Sequence, residues 1–184
     1  ESVCALDPLE EREILDLITE LVDKSLVLPV RGGSHVRYRI LRTLRQYAWA
    51  KLCESGEAAN MRDRHAQWCS GVVRTGDFSA ARQEYPEVRA ALEYLLDAGG
   101  RGQEALDLAG SEVMYQVFYD SYPGDGERLL AAVLGQASQS RTVSLGWVLC
   151  ALGRLHQVHG RDDDVGDLLD RALAIGRAAG DELL

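Results

Sequence analysis

The stretch LVLPVRGGSHVRYRIL, residues 26–41, is the part of the sequence in which the hydrophobic pattern has a period of two. Val36, Tyr38 and Ile40 alternate with arginines, and the Gly-Gly pair before them is typical of a tight turn. The sequence therefore predicts a two-stranded β-hairpin. Because an isolated ribbon is only marginally stable, we expect it to lie against the helices on either side.

The segment before the hairpin, LDPLEEREILDLITELVDKS, predicts an amphipathic helix that begins at Asp7–Pro8. Apolar residues recur in it at spacings of three and four, which gives one face to bury: Ile14, Leu17, Ile18, Leu21 and Val22. A helix followed by a β-hairpin is the arrangement of the rear half of a winged helix. Residues 1–55 are therefore predicted to be the C-terminal part of a winged-helix domain.

Everything after Leu41 has a helical pattern and predicts stacked helix pairs. Glycines break this pattern about every twenty residues, at Gly56, Gly76, Gly99–Gly100, Gly124–Gly126, Gly160 and Gly180. Each helix is expected to bury one stripe: Met61, His65, Trp68 and Val72 in the first, Val88, Leu92 and Leu95 after a start at Pro86, and then Leu106, Ala109, Val113 and Val117. The predicted fold class is mainly α, a partial winged helix followed by antiparallel helix pairs.

Residues 146–179 have the length and layout of a tetratricopeptide repeat, a helix-turn-helix unit of 34 residues. Leu152–Gly153 supply its Leu-Gly pair, His156 stands at its aromatic position, and Ala172 occupies its late small position. We therefore predict a helical repeat region over residues 56–184, of which 146–179 is the clearest repeat.

Composition limits the classes of function. The formal net charge is -9 and 46% of the residues are hydrophobic, which predicts a globular chain without a general attraction for nucleic acid or anionic lipid. No apolar run approaches the roughly 20 residues of a membrane span. Four widely spaced cysteines without a CxxC pair predict free thiols in a reducing cytosol. The absence of an initiator methionine predicts a piece of a longer protein.

A basic, aromatic surface is the main candidate site. Arg37 and Arg39 lie on the second predicted strand, and Arg42, Arg45 and Trp49 share one face of the helix that follows. Such a surface could hold phosphates and stack on bases. It could also contact another part of the same protein, and the acidic total favours this second interpretation, under which the segment binds no DNA.

Other chemistry has weaker sequence support. His156 and His159 have the spacing of two metal ligands, with Cys150 nearby, but no third ligand has suitable spacing. Because His156 falls at the aromatic position of the repeat, we expect it to be a packed core histidine and expect no metal. The acids at 162–164 lack the spacing of an EF-hand and are expected to satisfy a helix start. Gly32–Gly33 is not followed by a Lys-Ser/Thr pair, so no phosphate-binding loop is predicted. We expect a non-catalytic chain without a cofactor of its own.

The order of hairpin, RYRILRTLRQYAWAKLCESGE, EVRAALEYLLDAG, GERLLAAVL and a tetratricopeptide-like unit resembles the middle of LuxR-type and AfsR-like STAND ATPases, which are large actinobacterial transcriptional regulators. The resemblance implies a cytoplasmic parent protein with an ATP- or ADP-binding module upstream and further repeats downstream. It also implies that this segment contacts its own nucleotide-binding module and holds a protein or peptide partner on its repeats. Three tyrosines on one predicted helix are candidate contacts for this partner: Tyr115, Tyr119 and Tyr122. A buried packing stripe is an equally favoured role for them.

Overall fold

Helices make up most of the structure, and a hairpin of two strands lies near its beginning. A computed structural model of the chain describes residues 3–5, 10–32, 35–137, 140–161 and 163–181. The elements, in chain order, are α1 (Glu11–Asp23), β1 (Val27–Gly32), β2 (His35–Ile40), α2 (Arg42–Glu54), α3 (Ala58–Arg74), α4 (Phe78–Gln83), α5 (Tyr85–Asp97), α6 (Gly102–Ala109), α7 (Glu112–Ser121), α8 (Pro123–Ala137), α9 (Val143–Val158) and α10 (Val165–Ala179). The predicted fold class, mainly α with a hairpin followed by helices, is confirmed.

Helix α1 begins at a capping box. The side chain of Glu10 accepts a hydrogen bond from the N–H of Glu13, whose own carboxylate accepts one from the N–H of Glu10 at 2.7 Å. The predicted start at Asp7–Pro8 lies outside the described residues. Of the predicted apolar face, Ile14 is buried whereas Leu17 and Leu21 are exposed, so the face is only partly covered.

The hairpin pairs β1 and β2 in antiparallel register, with Val27 opposite Ile40 and Val30 opposite Arg37. Gly33, in the predicted turn, lies outside the described residues. Because directly opposed residues share a face, the arginines of β2 lie on the same face as Leu28 and Val30. The other face carries Val36 and Tyr38, both exposed, and α1 lies against β1.

The chain divides into two compact units, which we call the hairpin unit (Glu1–His65) and the core unit (Ala66–Leu184). Within the described part of the hairpin unit, Ile14 is the one buried hydrophobic residue. The continuous hydrophobic core belongs to the core unit and draws on its helices from α3 to α10. The predicted boundary between residues 55 and 56 stays a prediction, since compactness does not identify a fold family.

The core unit is organised around α9, which packs against α6, α7, α8 and α10. This helix is apolar on most of its circumference, which is the pattern of a helix enclosed by others. The predicted stripe of α5 is buried, and the stripe from Leu106 to Val117 is buried as well, although a break at Gly110 divides it between α6 and α7.

The predicted stripe of α3 is displaced by one position. Met61, His65, Trp68 and Val72 are only half-buried, and the buried residues are Ala66, Cys69 and Val73. A shift of one residue turns a helix face by about 100°. The small side chains of Ala66 and Cys69 occupy the fully enclosed positions, while the larger Trp68 packs at the edge of the core.

Most predicted helix breaks are confirmed, because left-handed glycines follow helix ends at Gly56, Gly76, Gly99, Gly100, Gly160 and Gly180. The predicted break at Gly124–Gly126 is displaced by two residues, because α7 ends at Ser121 and α8 begins at Pro123, which puts the break at Tyr122. Helix α8 begins at Pro123 and runs through both glycines. Gly126 serves a close approach, since a Cβ there would lie 2.8 Å from the Cβ of Phe118.

The last two helices, α9 and α10, pack against each other as a helical hairpin, while its assignment as a tetratricopeptide repeat stays a prediction. Leu149 and Leu152 on α9 and Ala172 on α10 are buried. A Cβ on Gly153 would lie 3.1 Å from a methyl group of Leu169, so the missing side chain lets the two helices approach closely. In the described ranges, no helix combines the length and the apolar character needed to cross a membrane.

Candidate interaction surfaces

The basic residues of the hairpin unit lie on or near its surface. Arg39, Arg42 and Arg45 are exposed and Arg37 is half-buried. Helix α2 has no buried residue, so both of its faces remain partly accessible. The structure thus leaves the predicted contact residues available, while their function as a contact stays a prediction.

Trp49 makes its charged contact with a residue that the sequence analysis did not select. The guanidinium carbon of Arg62, on α3, lies 4.4 Å from the centroid of the Trp49 ring, which is a cation–π distance. Trp49 remains 40% exposed in spite of this contact. Arg62 lies beyond the break at Gly56, and no spacing rule connects it to a residue on the preceding helix.

Exposed large hydrophobic side chains concentrate in the hairpin unit. Of the twelve among the described residues, ten belong to this unit: Leu15, Leu17, Leu21, Leu28, Val30, Val36, Tyr38, Leu41, Tyr47 and Trp49. Scattered exposed apolar residues are ordinary, but a concentration of them marks a binding surface. The arginines of β2 and α2 lie in the same stretch of chain as this apolar set.

The three candidate tyrosines on and after α7 are half-buried and pack against the core. Tyr115 and Tyr119 stack with ring centroids 5.9 Å apart, and Tyr115 also lies 5.9 Å from the ring of Trp147. Tyr122 stacks on Tyr85 at 3.7 Å. These contacts show that the tyrosines have a packing role, and their role as partner contacts stays a prediction.

The two histidines of the α9–α10 hairpin each bind a different carboxylate. His156 Nδ1 lies 2.7 Å from Asp164 Oδ1, and His159 Nδ1 lies 2.7 Å from Glu127 Oε2. The hydrogen bond from His156 lowers the pKa of Asp164. Within the described residues, no group of three or more His, Cys, Asp or Glu side chains could hold a metal ion.

The expected role of the acids at 162–164 needs a correction. Asp164 is the residue before α10, but its side chain makes no capping hydrogen bond, because the carboxylate faces His156 instead. Asp162 lies outside the described residues. Asp164 therefore connects the start of α10 to the end of α9 through its hydrogen bond with His156.

An ion-pair network joins α5 to α8. Glu93 Oε1 lies 2.8 Å from Arg128 and 3.2 Å from Arg89, which also reaches Asp125 at 3.1 Å. Partial burial would raise the pKa of Glu93, but the hydrogen bonds from Arg128 and Arg89 outweigh it and lower that pKa. Burial, with the nearby charge of Asp125, raises the pKa of Tyr85 beneath this network.

A groove in the core unit was not foreseen from the sequence. It has a volume of about 480 Å³ and is lined by Ser140, Arg141, Leu145, Arg171, Ala174, Ile175 and Ala178. We call it the α9–α10 groove. Its lining combines two arginines with an apolar wall.

Comparison with known proteins gives one consistent relationship. No protein-family model matches the chain, and no solved structure matches it. Over 119 residues the chain is 36% identical to a Mycobacterium tuberculosis protein and to a Mycobacterium bovis protein, each described as a "putative HTH-type transcriptional regulator". It is similar to these regulators. The alignment covers 60% of this chain and 13% of each relative.

A further relative is an uncharacterized protein of Mycobacterium tuberculosis, 38% identical over 73 residues, which are 38% of this chain and 19% of that protein. The chain therefore spans between about an eighth and a fifth of the length of the curated relatives it matches. These similarities concern one part of larger proteins.

Proposed function

We propose that this chain is a non-catalytic regulatory and interaction segment of a STAND-type signal-transducing ATPase and transcriptional regulator. The similarity to HTH-type transcriptional regulators supports the regulatory part of this proposal. The order of a β-hairpin followed by helix pairs supports the assignment of a winged-helix end joined to tetratricopeptide-like repeats. A cytoplasmic location is part of the same proposal.

The observation that carries the proposal is the contrast between the two units. The core unit encloses its apolar residues, whereas the hairpin unit exposes most of its own, among arginines. Apolar and arginine side chains in combination are typical of protein–protein interfaces. We therefore assign the hairpin unit, with Arg42, Arg45 and Trp49, as the docking surface for a nucleotide-binding module of the same protein.

In this proposal ATP or ADP binds to that module, and the present chain transmits a signal. Helical repeats offer an extended surface to a protein or peptide partner. If the repeats exchange between two conformations, a partner that binds one of them more tightly would increase its population. The position of the docked nucleotide-binding module would change with that conformation.

Titration calorimetry of this chain against the separately produced nucleotide-binding module tests the docking assignment. Arg45→Glu reverses a charge within the proposed surface and should weaken binding at least about tenfold, because like charges at an interface are costly. The matched control is Arg177→Glu on α10, exposed like Arg45. Equal effects of the two substitutions, or no binding at all, would contradict the proposal.

Nucleic-acid binding through the basic wing and the Arg42–Trp49 face is the second candidate, and the description of the relatives as HTH-type regulators favours it. It predicts an affinity that falls steeply with salt. Fluorescence anisotropy of a labelled mixed-sequence duplex at low and moderate salt separates the two candidates. Docking predicts a flat titration; salt-sensitive binding that Arg45→Glu removes would replace docking with DNA binding.

A further inference from the structure

The α9–α10 groove has one wall built by a single stripe of α10. Arg171, Ala174, Ile175 and Ala178 are related by spacings of three and four residues, so they lie along one face of the helix. The two alanines are short and leave space beside the helix. Leu145 of α9, itself buried, closes the groove from the other side.

Positive charge flanks this apolar wall. Arg171 lies on α10, and Arg141 lies in the residues just before α9, so the two arginines come from different segments of the chain. Neither arginine has an ion pair with another described residue, in contrast to Arg89 and Arg128 of the α5–α8 network. Two arginines that have no acidic partner within the described ranges are notable in a chain with a formal net charge of -9.

We propose that the α9–α10 groove binds a small aliphatic carboxylate, whose charge is held by Arg141 and Arg171 and whose hydrocarbon body lies along Leu145, Ala174 and Ile175. The volume of about 480 Å³ is within the range of small-molecule sites. Guanidinium groups match the geometry of a carboxylate, and the apolar wall rewards a hydrocarbon tail rather than a sugar or a base.

The inference deepens the proposed function, on which it rests for its biological meaning, because it gives the repeats a class of small effector. Binding itself is a property of this chain alone. Failure of the groove to bind a carboxylate would leave docking of the nucleotide-binding module untouched, and failure of docking would leave the groove untouched.

Titration calorimetry of the 184-residue chain with octanoate tests the proposal. Octanol, with the same tail and no charge, and acetate, with the charge and no tail, should each bind at least about fivefold more weakly, since both parts of the groove are needed. Equal binding of octanol and octanoate would overturn the assigned role of the arginines. Absence of octanoate binding would overturn the site.

Substitutions locate the binding in the groove. Arg141→Gln and Arg171→Gln should each weaken octanoate binding about fivefold, whereas Arg177→Gln, on the same helix but outside the lining, should leave it unchanged. Thermal unfolding of each variant checks that the fold is kept, and both arginines are exposed, so no core contact is lost. Octanoate binding that neither groove substitution weakens, or that Arg177→Gln weakens equally, would contradict the proposal.

Discussion

Cys69 has a more buried environment than the other three cysteines of the chain. Its thiol is fully enclosed on α3, and burial, with added repulsion from Glu87 and Glu84, raises its pKa to about 12. Cys4 and Cys53 are exposed, and Cys150 is half-buried with its pKa also raised by burial. Because the thiolate is the reactive form, these thiols should differ in reactivity.

Thiol labelling with a soluble aromatic disulfide at pH 8 should separate the cysteines. We expect Cys4 and Cys53 to react rapidly, Cys150 to react more slowly, and Cys69 to react only after denaturant unfolds the core. Mass spectrometry of the labelled peptides assigns each site. Rapid labelling of Cys69 in the folded protein would show that α3 does not bury the face described here.

Helix α8 allows the effect of close helix packing to be compared with that of helix propensity. Helix α8 contains Gly126 in its first turn and Gly135 in its last turn, and the two glycines have different surroundings. A Cβ at position 126 would meet Phe118 of α7, whereas nothing lies within 4 Å of a Cβ at position 135. The same substitution at both positions therefore separates packing from propensity.

Gly126→Ala should lower the free energy of unfolding by about 1–3 kcal/mol, because α7 and α8 would have to separate to admit the methyl group. Gly135→Ala should raise it by less than about 1 kcal/mol, because alanine has a higher helix propensity than glycine and no contact is disturbed in this last turn of α8. Urea denaturation measures both. A stabilised Gly126→Ala variant would contradict the close approach of α8 to Phe118.

The α5–α8 network should make part of the stability depend on pH. The pKa of Glu93 in the folded chain lies below its ordinary value of 4.5, so the charged form stabilises the fold above that value and the contribution is lost as the pH falls through the lower folded pKa. Partial exposure keeps it below about 1 kcal/mol.

Urea titrations at pH 7 and pH 3 measure this contribution as the difference between wild type and Glu93→Gln. The difference should be larger at pH 7. Asp97→Asn, on the same helix, removes a carboxylate that has no ion pair among the described residues and serves as the control. A Glu93→Gln difference that is unchanged at low pH would show that the arginines do not stabilise its charge.

The distance along the chain between interacting residues decides which features of this fold can be predicted from the sequence. The hairpin and the stripe of α5 were predictable because periodicity within a segment specifies them. The start of α8 at Pro123, before both glycines, was not predictable, because the close approach of Gly126 to Phe118 depends on how α7 and α8 pack. The same limit explains the offset on α3, where the neighbouring helices decide which of two adjacent stripes is covered.

The candidate surfaces also include contacts between residues that are far apart in the sequence. Arg42, Arg45 and Trp49 are exposed, but α2 has no buried residue, so their exposure does not single out the predicted face. Arg62 approaches Trp49 from the next helix, and the α9–α10 groove joins residues about thirty positions apart. Such pairs become visible only when the helices are assembled.

At the scale of the whole molecule, apolar burial is distributed very unevenly. The core unit contains a continuous cluster of buried residues, whereas Ile14 is the one buried hydrophobic residue described in the hairpin unit. Local unfolding free energies rise with the apolar contacts that hold a region. The two units should therefore differ in local stability.

Hydrogen exchange followed by mass spectrometry should show this difference. Amides in α1, β1, β2 and α2 are expected to exchange at least about tenfold faster than amides in α5, α8 and α9, because fewer buried contacts oppose their opening. Addition of the nucleotide-binding module should slow exchange in the hairpin unit specifically. Equal protection of α1 and α9 in the chain alone would contradict the burial described here.

The glycines at helix approaches also limit how this sequence can change over evolutionary time. At Gly102, Gly110 and Gly126 a side chain of any size would strike a neighbouring backbone or Cβ atom, whereas Gly124 and Gly135 face open space. Homologues of this chain should therefore retain glycine at the first three positions, whereas the residues at the other two positions should vary. Conservation of glycine at these three positions would reflect the close spacing of the helices, even in homologues whose surrounding sequence has diverged.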